Sequence, residues 1–288
     1  MANHNGATSI EEIEKLAEEK SKKDKKLSAL WNFINISIGD GQTYDDSFAS
    51  FKRFRFQPRI LSARRERSTW SSLLGNPVRL PVGISPVIGY TFAHPDGDAV
   101  AGRATAKAGT VMIMSSVGNL SIEDFASMVP SNGLYWAQTY LFRDKRNTLN
   151  LVKNAERLGF KAIVVTVDSP VETKSSNNSA QSKDHFKKYF SMKAKTPGAN
   201  IKYIKGKERV YKQMSMTEFW MTEEGMTEAA CCADWDDLAW LQKQTKLPIV
   251  LKGVLSAESA RMASHRGISG IIVSAHGGRQ LDGVPAPV

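Results

Sequence analysis

The densest group of residues able to do chemistry in this 288-residue chain is His276-Gly277-Gly278-Arg279-Gln280-Leu281-Asp282. An imidazole is the usual proton acceptor near neutrality, because its ordinary pKa is about 6.5. A guanidinium three residues further on can grip a carboxylate through two parallel hydrogen bonds. The glycines between them let the backbone turn tightly, so that both side chains face one site. The same run also suits a solvated surface turn or an oxyanion-hole loop, although no G-x-S-x-G elbow accompanies it. Asp168 closes Thr166-Val167-Asp168. A carboxylate there either orients His276 and stabilises its imidazolium or caps the following loop. Lys252 stands in the apolar run Leu251-Lys252-Gly253. Burying a lysine without a partner is costly, so it reads as a holder of negative charge or as half of a structural ion pair. Gln138 and Tyr140 fall on one face of a strand by the period-two rule, where either could also simply pack. His4, His94, His185 and His265 have no metal-ligand spacing, and the adjacent Cys231 and Cys232 offer neither a disulfide framework nor a metal site.

These residues need elements to carry them. Short apolar runs rich in β-branched or aromatic residues occur at Leu80–Ile88, Thr110–Ser116, Leu134–Leu141, Ala162–Asp168, Pro248–Val254 and Gly270–Ser274. Helical patterns separate most of them: Gly97–Ala108, Ser121–Met128, Lys145–Leu158, Asp236–Gln244 and Ser256–His265. Alternation of this kind means βαβ units and a parallel sheet. A doubly wound sheet would carry a Gly-rich phosphate loop after its first strand. Here that position reads Gly89-Tyr90-Thr91-Phe92-Ala93-His94. A β/α barrel instead puts polar residues at the C-terminal ends of several strands. Ser115, Gln138, Tyr140, Thr166, Asp168, Lys252 and the run from Ser274 to Arg279 do so, and the barrel is the expected fold. Six strand–helix slots are visible where closure takes eight strands, so two strands are expected to be missing.

Ahead of the barrel, residues 1–27 read as a charged helical segment, with Ser9 and Glu12 at capping-box spacing. The aromatics Trp31, Phe33, Phe48, Phe51, Phe54 and Phe56 are expected to pack a helical extension onto the larger unit. Residues 170–234, rich in Ser, Lys, Asn and Gln, read as a long insertion loop. A hydrophobic content of 41% is too high for a disordered chain. The net charge of +10 permits anion steering. The basic stretch Lys183–Arg209 interleaves Phe186, Tyr189, Phe190 and Tyr203, but no nucleic-acid module is present, so no nucleic-acid partner is expected. No apolar run reaches the roughly 18 residues of a membrane span. No secretory start is seen, and the expected setting is intracellular and reducing.

Phe51 with Pro58-Arg59-Ile60-Leu61, Ala93-His94-Pro95-Asp96-Gly97, Gln138-Thr139-Tyr140, KAIVVTVDSP (161–170), LPIVLKGV (247–254) and IIVSAHGGRQLDGVP (271–285) occur in that order. Together these segments resemble the FMN-dependent 2-hydroxyacid oxidase family, which includes glycolate oxidase and lactate oxidase, from about residue 10 to the end of the chain. The resemblance implies a TIM-type (β/α)8 barrel, truncated after about six β/α units, with FMN at its mouth. It implies a 28–288 FMN hydroxy acid dehydrogenase domain, incomplete at its C-terminus, that oxidises a small 2-hydroxy acid to the 2-oxo acid. O2 would be the acceptor, giving H2O2, and a homo-oligomer is compatible. By the same resemblance His276 is the base, paired with Asp168. Arg279 and Tyr140 bind the substrate, and Lys252 stabilises the reduced flavin. Pro86, Val87, Ile88, Ser115, Gln138, Thr166 and Ser274 contact the flavin.

The chain departs from the family at several positions: Phe33 and Ala275 replace a tyrosine and an asparagine, Val117 replaces an aromatic residue, and Ser175 stands at about an arginine position. The alternative expectation is a truncated, catalytically inactive isoform or an incomplete gene model of such an oxidase. The compartment implied is peroxisomal or cytoplasmic; the family's usual peroxisomal address sits at the extreme C-terminus, where this chain reads Ala286-Pro287-Val288.

Overall fold

In the computed structural model the described residues are 8–61, 66–118, 120–169 and 233–288. The basic stretch Lys183–Arg209, Ser175, His4, His185, the cysteine pair and all but the last two residues of the expected 170–234 loop lie outside them.

The chain opens with helices α1 (Ile10–Lys23), α2 (Lys25–Ile34) and α3 (Gln42–Ala49). Ser9 caps α1 by accepting from the Glu12 N–H, as its spacing predicts. A hairpin follows, β1 (Ser71–Leu73) and β2 (Asn76–Val78). The short helix α4 (Tyr90–Ala93) precedes the regular repeat. That repeat runs α5 (Asp98–Ala108), β3 (Val111–Met114), α6 (Ile122–Met128), β4 (Leu134–Thr139), α7 (Lys145–Arg157), β5 (Ile163–Thr166), α8 (Trp235–Gln244), β6 (Ile249–Val254), α9 (Ala257–His265) and β7 (Gly270–Val273).

The five strands β3 to β7 are parallel and lie in sequence order. A doubly wound sheet reverses its order at a switch point, and none occurs among the described strands. Crossovers of one hand then put every helix on the same face, and the sheet curls away from them as a barrel wall. The alternation of side chains shows which face is which. Met112, Met114, Tyr135, Ala137, Ile163, Val165 and Leu251 pack in one core with Phe125, Leu151, Val152 and Leu241 of the helices. Their strand neighbours Val111, Ile113, Trp136, Val164 and Val250 form a second core, on the concave side. Both faces are apolar, which is why these strands read as near-continuous hydrophobic runs.

On the concave side the pattern changes near the C-terminal ends. Continuing in steps of two, Ile113 leads to Ser115, Trp136 to Gln138 and Tyr140, Val164 to Thr166 and Asp168, and Val250 to Lys252. The barrel is thus apolar below and polar at its mouth.

Leu80–Ile88, expected as the first strand, is not one. It pairs with β3 only through an isolated bridge between Ile84 and Met112. Pro81 and Pro86 have no N–H to donate to a ladder, and Gly83 sits where a Cβ would meet the Val111 side chain at 2.4 Å. The β1–β2 hairpin was not foreseen. Its turn places both Leu74 (φ 48°) and Gly75 (φ 78°) in the left-handed region, as a two-residue turn of the primed type requires. Leu73 and Leu74 pack against the inner core. The expected packing of the N-terminal aromatics is also corrected. Phe48, Phe51, Phe54 and Phe56 are exposed, because the extension is held by polar contacts described below.

Ser121 caps α6 by accepting from the Asp124 N–H at 2.9 Å, the i to i+3 spacing of an N-cap. Ser121→Ala removes that acceptor, so we expect a loss of about 1 kcal/mol in a denaturant titration, with unchanged slope.

Candidate active site

The polar rim of the barrel opens on a cavity of about 460 Å³, within the general size range of small-ligand pockets. Its lining includes Pro86, Val87, Ile88, Ser115, Gln138, Tyr140, Thr166, Lys252, Ser274, His276 and Arg279. Every site residue expected from the sequence is therefore at this mouth except Asp168, which stands behind His276. Ile34, Ser85, Val117 and Gly277 complete the lining. Ile34 and Ser85 carried no signal in the sequence, since nothing in their types distinguishes them from core or loop residues.

His276 sits in the turn after β7 with φ 56°, a left-handed conformation that histidine tolerates at some cost. Gly277 (φ 68°) and Gly278 (φ 70°) continue that turn. The His276 N–H donates to Ser274 Oγ at 3.0 Å. Its Nδ1 lies 2.9 Å from Asp168 Oδ1. A carboxylate can only accept, so Nδ1 carries the proton and Nε2 remains free to take one. Asp168 Oδ2 is buried with no hydrogen bond among the described residues. The carboxylate is packed against Gly253, which has φ +107° in an irregular stretch of β6. A Cβ there would fall 2.5 Å from Asp168 Cβ and Cγ. Gly253 was not singled out in the sequence, where it looks like any glycine at a strand end.

Gln138 is locked on both sides. Its Oε1 accepts from the Ser116 N–H and hydroxyl, both at 3.0 Å, and its Nε2 donates to Thr166 Oγ1 at 2.9 Å. Tyr140 has its phenol pKa raised, first by burial and then by the Asp168 charge, so it stays a protonated donor. Lys252 is only 6% exposed. Burial lowers its pKa, and the Asp168 charge partly offsets this. No hydrogen bond or ion pair within 4.0 Å reaches its ammonium among the described residues, so a bound anion would find a desolvated cation here. Arg279 also lines the cavity and donates from Nη2 to the Ile34 carbonyl. Burial lowers its pKa, with the Tyr44 phenol opposing the shift.

The sequence profile of the FMN-dependent dehydrogenases matches residues 23–288. The chain belongs to that family. It is 36% identical over 274 residues to 2-hydroxyacid oxidase 2 of Mus musculus, covering 95% of this chain and 72% of the relative. It is 34% identical over 281 residues to glycolate oxidase of Spinacia oleracea, covering 98% and 71%. Among solved structures, a flavocytochrome b2 variant with sulfite bound matches with a TM-score of 0.73 and 27% identity, covering 100% of this chain and 64% of the other. A mandelate oxidase variant with (S)-mandelic acid matches with a TM-score of 0.68 and 28% identity, covering 89% and 66%. The chain thus spans just under two thirds of the length of these structural neighbours.

The family's cofactor is FMN, and the site fits it. A flavin ring carries polar edges and gains negative charge on reduction. The mouth offers a cavity of about 460 Å³, fixed amide and hydroxyl groups at Gln138, Thr166 and Ser115, and a buried cation at Lys252 with no ion pair among the described residues. Among the described residues no cluster of three His, Cys, Asp or Glu side chains could hold a metal ion, and no helix is long and apolar enough to cross a membrane.

Proposed function

We propose that this chain catalyses the FMN-dependent oxidation of a small 2-hydroxy acid to the 2-oxo acid, with O2 as electron acceptor and H2O2 as second product. One observation carries the reading: the Asp168–His276 pair leaves Nε2 as proton acceptor in the same cavity as Arg279, Tyr140 and Lys252. Arg279 and Tyr140 hold the substrate carboxylate. His276 Nε2 accepts a proton from the substrate as the equivalent of a hydride leaves its C2. Asp168 keeps the imidazole oriented and faces the positive charge it acquires. FMN, when bound, supplies the two-electron acceptor. Pro86, Val87, Ile88, Ser115, Gln138, Thr166 and Ser274, which line the cavity, would hold it, and Lys252 would balance the negative charge it gains on reduction.

Ile34 and Val117 border the cavity, and two aliphatic side chains there support a substrate with an apolar substituent on C2. Self-association into a homo-oligomer belongs to the same proposal, supported by exposed Phe48, Phe51 and Phe54. A peroxisomal or cytoplasmic setting is favoured by the adjacent cysteines, which give no disulfide framework.

One observation favours a second reading, a family member without catalysis: Ile271 and Val273 on the outer face of β7 are 37% and 49% exposed. The same experiment separates the two. The purified chain should carry FMN in about equimolar amount, and its flavin absorbance should bleach anaerobically with glycolate, lactate or a longer 2-hydroxy acid. A chain that takes up no flavin, or whose flavin no such acid reduces, supports the second reading and sinks the first.

A further inference from the structure

The N-terminus of α3 has no side-chain cap of its own, since its N-cap is Gly41. Asp282, some 240 positions away in the loop after β7, takes that role. Its Oδ2 accepts from the backbone N–H groups of Asp40 (2.9 Å), Gly41 (3.1 Å) and Gln42 (3.3 Å), and its Oδ1 accepts from that of Thr43 (2.7 Å). Gly39 leaves room for it: at φ +60° a Cβ there would lie 2.7 Å from Oδ2. These amides, the Thr43 N–H foremost, hold the Asp282 carboxyl down at about 2, so the clasp is charged throughout the physiological range.

The clasp has neighbours on both sides. Thr43 Oγ1 donates to the Val284 carbonyl at 3.1 Å and accepts from the Val284 N–H at the same distance. The Ile38 N–H donates to the Gly278 carbonyl at 3.0 Å. Gly278 is pressed onto Tyr44, where a Cβ would fall 2.9 Å from Tyr44 Cβ. Arg279 donates to the Ile34 carbonyl at the end of α2. Residues 34–44 and the His276–Asp282 loop therefore hold one another at several points, with Asp282 making the most bonds.

From this geometry we infer that Asp282 is a positioning residue: by docking residues 34–44 onto the His276–Asp282 loop, it sets where the Arg279 guanidinium stands in the cavity. The N-terminal extension is then part of the carboxylate-binding site. The inference relies on the functional reading above for what Arg279 holds, and on the hydrogen-bond geometry alone for the clasp.

Two measurements on the full chain test it. The first is amide hydrogen exchange. Asp282→Ala should speed exchange about tenfold or more at residues 40–43 and, by a similar factor, at residues 276–280. Opening at 40–43 with full protection retained at 276–280 would overturn the inference. The second is the affinity for pyruvate, a 2-oxo acid that cannot be oxidised at C2 in the same way, read by calorimetry on the flavin-loaded chain. Asp282→Ala and Arg279→Lys should each weaken binding about tenfold, and the double variant should be within about threefold of the weaker single variant, because both act through one guanidinium. Effects that multiply would mean Asp282 supports the fold without setting Arg279, and would also overturn it. Asp282→Asn, which keeps one acceptor oxygen, should fall between wild type and Asp282→Ala, and stands in if the alanine variant does not fold. A wild-type chain that binds no pyruvate would count against the functional reading, and the exchange measurement alone would then decide on the clasp.

Discussion

His276→Gln is expected to lower kcat for 2-hydroxy acid oxidation about 10³-fold, while flavin content and melting temperature stay near those of the wild type. The size follows from the job proposed for the side chain. General-base catalysis contributes roughly 10²–10⁴ in rate, and the pairing of Nδ1 with Asp168 at 2.9 Å leaves Nε2 as the proton acceptor. A glutamine fills similar space but its amide cannot accept a proton near neutrality. His276 lines the cavity without contributing to either hydrophobic core, so the fold should tolerate the change. The backbone strain of the positive φ, 56° at His276, stays, because glutamine inherits the same backbone. Anaerobic stopped-flow of flavin reduction is the measurement that isolates this step. A variant that keeps more than about a tenth of the wild-type rate would show that another group takes the proton.

The second large effect is expected at a residue with no chemistry of its own. Gly253→Ala should cut kcat about 10²-fold and destabilise the chain by about 1–3 kcal/mol. Two physical causes act together. The backbone at 253 has φ +107°, which non-glycine residues rarely adopt. The new Cβ would also lie 2.5 Å from Asp168 Cβ and Cγ and 2.7 Å from Oδ2, well inside van der Waals contact. The carboxylate must move, and His276 loses the partner that orients its ring. The loss of rate should therefore overlap with that of Asp168→Asn. The double variant should be little slower than the slower single variant, because both remove one interaction. Thermal denaturation reads the stability change, and steady-state kinetics reads the overlap. A Gly253→Ala chain with wild-type kcat would mean that the sheet relaxes around the methyl group and that the irregular stretch of β6 does not hold Asp168 in place.

These two sites differ in how visible they were. His276, Arg279, Asp168, Lys252 and Tyr140 stood out because chemically able side chains at the ends of apolar strands are hard to explain by packing. The period-two alternation carried Tyr140, Asp168 and Lys252 to the concave side of the strand ends, as Val164 leads to Thr166 and Asp168, and Val250 to Lys252, while the turn after β7 brought His276 and Arg279 there. Gly253 and Asp282 gave no comparable sign. The reason Gly253 must be glycine is the position of Asp168, 85 residues earlier in the chain. Asp282 stood in the cluster that was read, yet its partners are the amides of residues 40–43, and backbone donors have no signature in side-chain types.

The helices were legible for a similar reason. Ser9, Ser121 and Ser256 each accept from the backbone N–H three residues on, an interaction so local that sequence alone can state it. The first strand failed for the opposite reason. Leu80–Ile88 has the apolar content of a strand, but Pro81, Gly83 and Pro86 leave it with a single bridge to β3. The hairpin Ser71–Val78 was missed because Leu74 adopts a positive φ that its side chain disfavours, and only its docking on the inner core compensates.

What the amino-acid sequence settled by itself was whatever depends on neighbours within about seven positions: caps, alternation, and which strand ends carry polar groups. The pairing of Asp168 with His276 was expected from residue types and the family resemblance, and the fold brings the two to 2.9 Å. What the tertiary structure alone decided was the packing of Gly253 against Asp168 and the docking of Asp282 on the start of α3. The physical reason is that hydrogen bonds and steric contacts act over a few ångströms in space, and only the folded chain, with its curled sheet and docked N-terminal segment, brings such separated residues within that range.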